Sequence, residues 1–148
     1  MLTRRTLIGL MATTPLLARP ALAAEPEVFA DGGLAIHGID PVAYFRQSAP
    51  VRGTADHTPM WRGAVWHFAN AENMAAFEAD PQGFAPQYGG YCAFAVSRGY
   101  TASTDPEAWT IHDGKLYLNY SLSVRSRWAQ DIPGNVAAAD ANWPGVLG

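Results

Sequence analysis

One cysteine and four histidines hold most of the chemistry open to this 148-residue chain: Cys92, His37, His57, His67 and His112. A thiolate with one or two imidazoles is a soft donor set, and two or three such ligands suffice for Cu(I). Cys92 follows Gly89-Gly90 in the run YGGYCAFA. At a helix N-terminus its thiol would be acidified and open to metal. Between Tyr91, Ala93 and Phe94 it reads equally as a small core hydrophobe, because free cysteine is among the most buried residue types. A cysteine–histidine pair is also the minimum for a nucleophilic enzyme. However, the sequence holds no phosphate-binding glycine loop, zinc-protease helix or nucleophile elbow. Asp40 has the type of an acid or base, yet Asp40-Pro41 is more simply a helix cap followed by a first-turn proline. Tyr44, Tyr88 and Tyr91 read as pocket lining or as aromatic core.

The elements that must position these groups centre on Ala64 to Ala95. Ala64 to Phe68 alternates as a strand, with Ala64, Trp66 and Phe68 on one face and Val65 and His67 on the other. Asn70 caps a helix to Ala79, with Met74 and Phe77 three apart on one side. Asp80-Pro81 opens a second helix in which Phe84 and Tyr88 stack four apart, until Gly89-Gly90 breaks it. Tyr91 to Val96 is apolar throughout, so periodicity does not choose between strand and helix.

Upstream, Val28 to Ala30 and Leu34 to Ile36 flank the turn Asp31-Gly32-Gly33, and Asp40 starts a short helix to about Gln47. Ala55 to Trp61 pairs with Ala64 to Phe68 around Arg62-Gly63. A two-residue turn there places His57 and His67 on opposite faces, and a loop one residue longer brings them opposite each other. Downstream, Trp109 to His112 and Lys115 to Leu118 flank Asp113-Gly114, the strongest hairpin signal in the chain. That register sets Trp109 against Leu118 and Ile111 against Leu116, and leaves His112 on the polar face. Ser121 caps a helix to about Gln130, and Pro133 begins an alanine-rich helix ending before Pro144. Three hairpins interleaved with short helices predict an α+β domain, antiparallel hairpins packed with short helices.

The first 23 residues read differently. Thr3-Arg4-Arg5-Thr6-Leu7, an apolar stretch to Leu17 and the small-residue site Ala21-Leu22-Ala23 resemble a twin-arginine export signal. Residues 24–148 are then the exported, periplasmic domain. Removing Arg4, Arg5 and Arg19 leaves seven basic against thirteen acidic residues, a net charge of −6 with neutral histidines. An acidic domain without a basic run is a poor nucleic-acid partner, and no second apolar segment is long enough for a membrane span. A single cysteine forms no internal disulfide, so packing must hold the domain together.

Four segments resemble the YHS-domain family: GIDPVAYF from Gly38, WHFANAENMAAFEADPQGFAP from Trp66, YGGYCA from Tyr88 and KLYLNY from Lys115. They span most of residues 24–148 and look most like the exported single-domain bacterial branch. The resemblance implies metal handling, notably of copper. In the metal-binding version three cysteines fall at the positions of Ala43, Ala69 and Asn73, and Cys92 is not among them. His67 lies two residues from Ala69 along the strand, and His37 lies just before the Asp40 helix, the other wall of that site. With those three cysteines missing, the family's thiolate site does not carry over, and Cys92, His67 and His37 are the ligand set the residues themselves offer for a copper carrier, with no ligand spacing to mark it. The alternative is a metal-free descendant of the fold that binds a small ligand or protein through its aromatic surface.

Overall fold

Three turns fold the chain into hairpins, and each places two consecutive residues at positive φ: Gly32-Gly33 at 56° and 86°, Arg62-Gly63 at 50° and 77°, and Asp113-Gly114 at 50° and 72°. This is the mirror-image turn whose twist matches that of the strands it joins. The computed structural model describes residues 24–148, so the export signal read over residues 1–23 lies outside the described residues. The first turn joins β1 (Ala30–Asp31) to β2 (Leu34–Ala35), the second joins β3 (Met60–Trp61) to β4 (Ala64–Val65), and the third joins β5 (Trp109–His112) to β6 (Lys115–Leu118). In the third, Trp109 faces Leu118 and Ile111 faces Leu116, the register expected from sequence.

The first two hairpins differ from expectation in two ways. They lie side by side in one sheet of order β1-β2-β4-β3, and β2 and β4 run parallel through Leu34 and Val65. The second ladder is also shorter than the alternating pattern suggested. Beyond two residue pairs it continues only as single bonds, from Trp66 N–H to the Pro59 carbonyl and from Phe68 N–H to the His57 carbonyl. Pro59 has no N–H to return a bond, so the regular ladder stops there.

Among the described residues six α-helices complete the α+β domain: α1 (Pro41–Arg46), α2 (Ala71–Ala79), α3 (Pro81–Phe84), α4 (Ala93–Ser97), α5 (Leu122–Trp128) and α6 (Ile132–Asn142). Side chains cap five of them. Asp40, Asn70, Asp80, Ser121 and Asp131 accept N–H bonds from the first turns of α1, α2, α3, α5 and α6. The second helix was expected to reach Tyr88 but ends at Phe84. Pro86 holds Ala85 extended at φ −66°, ψ 145°, and a 3₁₀ turn over Gln87–Gly90 follows. Phe84 and Tyr88 thereby separate into different cores.

Those cores lie on opposite sides of β6. Leu116 and Leu118 face a cluster with Val28, Ile36, Val42, Tyr44, Trp66, Phe68 and Phe77. Tyr117, alternating to the other face, joins Tyr88, Tyr91, Val96, Trp128 and Ala139. The aromatic rings pack edge-to-face or tilted, as at Trp61–Phe77 (5.5 Å) and Tyr117–Trp128 (5.2 Å). Phe29 packs against both clusters. Among the described residues no helix is long and apolar enough to cross a membrane.

Gly89 connects the cores. Its φ is +62°, a Cβ there would collide with the Glu27 carbonyl, and its own carbonyl accepts the Phe29 N–H at 2.9 Å. Gly114 also has positive φ, at +72°, but open space around it. Gly89→Ala should therefore cost about 3 kcal/mol or more and Gly114→Ala about 1 kcal/mol, measured by urea unfolding. Equal costs would contradict the close approach at Gly89.

Candidate functional site

Asp40 is fully buried, and both its carboxylate oxygens accept two bonds. Oδ1 accepts the N–H groups of Val42 (2.9 Å) and Ala43 (3.3 Å). Oδ2 accepts the Ala69 N–H (2.9 Å) and Asn73 Nδ2 (2.8 Å). Ala43, Ala69 and Asn73 are the three positions where the YHS resemblance puts thiolates. Here they meet around a carboxylate and bond to it through N–H groups. Arg46 continues the network by donating to Asn73 Oδ1 at 3.2 Å. Sequence reasoning found only the capping half of this role. The other half comes from residues 29 and 33 positions away, which no local pattern marks.

The three sequence-derived metal candidates fall in two places. His37 Nδ1 lies 2.8 Å from Asp31 Oδ2, and its Nε2 lies 3.0 Å from the Thr104 carbonyl. His67 is half-buried nearby. A Cβ built on Gly38 would sit 3.4 Å from His67 Nδ1, and Gly53 is wedged against the His67 backbone. His37 and His67 therefore flank Gly38. Cys92 sits apart as the residue before α4, 1 % exposed. Its thiol donates to Asn119 Oδ1 at 3.5 Å, and its sulfur accepts the Tyr120 N–H at 3.3 Å. Among the described residues no three His, Cys, Asp or Glu side chains are grouped to hold a metal ion. His112 pairs with Asp113 across 3.3 Å, and His57 is half-buried.

A cleft of about 510 Å³ lies where the two cores meet. Trp61 and Trp143 line it, with Arg62, Lys115 and Asp140 as its charged groups and Tyr88 among its lining residues. The Arg62 guanidinium lies 4.3 Å from the Trp61 ring centre and 3.6 Å from Glu27 Oε1. Tyr88 donates to Asp140 Oδ1 at 2.9 Å, which holds the carboxylate in place. Indole faces with a few fixed polar groups suit a small polar solute. None of the charged lining residues was singled out from sequence. The available signal was Asp140 and Trp143, three apart at the end of α6 and so on one face.

Burial, then the bond to Asp140 and its charge, raises the Tyr88 hydroxyl pKa well above its ordinary value. Burial, then the charges of Glu107 and Asp105, raises that of Tyr44, which donates to the Pro106 carbonyl at 2.8 Å. Burial chiefly raises Tyr91 and Tyr117 as well. Comparison with family models, with curated proteins and with solved structures finds no match.

Two outcomes follow from this geometry. Asp40→Asn keeps an acceptor for one oxygen but turns an NH₂ toward other donors. It should cost about 3 kcal/mol in urea unfolding, against about 1 kcal/mol for Asp80→Ala at an exposed cap. A native tyrosine pKa above the unfolded value of about 10 adds stability that is complete below pH 10 and lost as pH rises through the native value. The urea midpoint should hold to about pH 9.5 and then fall, less steeply in Tyr88→Phe. A midpoint unchanged to pH 11.5 would contradict this.

Proposed function

We propose that this chain is an exported, metal-free binding module on a YHS-like frame, and that it takes a small polar solute in the cleft between Trp61 and Trp143. The observation that carries the reading is the cleft itself: two indoles with Arg62, Lys115 and a Tyr88-anchored Asp140, at the meeting point of both cores. Aromatic faces supply contact area, and the charged groups orient a polar ligand.

The Asp40 network supports the metal-free half. Three of the four N–H donors to the carboxylate belong to the positions where the resemblance calls for thiolates. A soft cation there would need deprotonated sulfur, which Ala43, Ala69 and Asn73 lack. The donors of the competing proposal, a copper carrier using Cys92, His67 and His37, do not fit together well. Both His37 nitrogens face protein oxygens, and the Cys92 sulfur is sealed against Asn119 and Tyr120.

Native mass spectrometry of protein recovered from the periplasm without chelator tests both halves. The expected species begins at Ala24, carries no copper and holds a small-molecule adduct that Trp143→Ala weakens. One copper per chain, removed by Cys92→Ser, would overturn the proposal in favour of the carrier.

A further inference from the structure

A second concavity, sharing no lining residue with the cleft, lies over Cys92. It measures about 250 Å³ and is walled by Phe94, Ala95, Tyr100, Ala102, Tyr120 and Val124, with Arg127 as its charged member. Four large apolar side chains are conspicuously exposed among the described residues, and two of them line this cup. Tyr100 (54 %) and Tyr120 (57 %) line the cup, and Leu122 (57 %) is two residues beyond Tyr120 at the start of α5. Burying large apolar surface is favourable, so such a concentration on a largely acidic domain marks a binding surface.

The charges around the cup select the occupant. The Arg98 and Arg127 guanidinium groups lie 4.7 Å and 5.2 Å from the centre of the same Phe94 ring. Neither makes an ion pair among the described residues, although acidic residues outnumber basic ones thirteen to seven after the export signal is removed. Arg127 lines the cup itself, and Arg98 lies against the Phe94 ring in its wall, so an unpaired guanidinium is available to donate charge-assisted hydrogen bonds to a carboxylate there. A dry cavity of about 150 Å³ holds a benzene, so 250 Å³ accommodates a chain of about eight carbons.

We propose that this cup binds a small apolar carboxylate, a medium-chain fatty acid or an aryl-alkyl acid, with its apolar body over Cys92 and its carboxylate on Arg127, in the positive field that Arg98 adds. The site goes beyond the cleft and does not depend on it.

Octanoate, 1-octanol and acetate are the probes, and the exposed tyrosines of the rim are the reporters. Octanoate should shift the NMR signals of Tyr100 and Tyr120. Octanoate should bind about tenfold more tightly than 1-octanol, and acetate should do neither. Arg98→Gln with Arg127→Gln, both exposed positions, should bring octanoate to within about twofold of 1-octanol while circular dichroism stays unchanged. Trp143→Ala, in the cleft, should leave octanoate binding as it was. Equal affinity for acid and alcohol in the native protein, octanoate binding indifferent to the arginine pair, or no shift at Tyr100 and Tyr120 would each overturn the proposal.

Discussion

A carboxylate without a cationic partner, buried to zero exposure, is tolerable only when N–H groups replace its water. At Asp40 four of them do. Two come from the helix Asp40 caps, one from the end of the Trp66–Phe68 segment and one from the first turn of α2. One side chain therefore ties the start of α1 to the segment from Ala69 to Asn73, 29 to 33 residues further along. The requirement runs both ways, since losing any donor leaves part of a buried charge unsolvated. This explains why the Asn73 side chain and the Ala43 and Ala69 backbones converge on one carboxylate.

From that anchor the rest of the domain is arranged by one strand. β6 sends Leu116 and Leu118 into the core that Asp40 borders and Tyr117 into the core of α4, α5 and α6. A domain of this size with a single large core would have no natural seam. Two aromatic cores on either side of one strand produce a seam, and the cleft opens there. Gly89 and the Phe29 N–H bond close one end of it by bringing the N-terminal segment against the turn after Pro86. The arginine-flanked cup belongs to the second core alone, between α4, α5 and the loop from Tyr100 to Ala102.

What could be read beforehand follows from the range of the interactions. The turns at Gly32-Gly33, Arg62-Gly63 and Asp113-Gly114, the caps at Asp40, Asn70, Asp80 and Ser121, and the full register of β5 and β6 are set by neighbours a few residues apart. These were legible. The parallel pairing of β2 with β4 joins Leu34 to Val65 and has no local signature. Tyr91 to Val96 is apolar at every position, and only its surroundings make its second half a helix. The stacking of Phe84 on Tyr88 was misread because helical periodicity was carried across Pro86. Of the site, the aromatic residues were visible but their charged partners were not: Arg62, Lys115 and Asp140 are ordinary surface residues until the fold brings them to one cleft.

The Ala69 amide offers the most direct test of this account. Ala69 lies outside every helix and strand, and its N–H is held only by Asp40 Oδ2. Amide hydrogen exchange followed by NMR, with and without Cu(I), reads that bond. The account predicts that Ala69 exchanges as slowly as the α2 core amides, and that Cu(I) leaves its rate unchanged. Exchange at the rate of an open loop, or a rate that changes when one equivalent of Cu(I) binds, would contradict it.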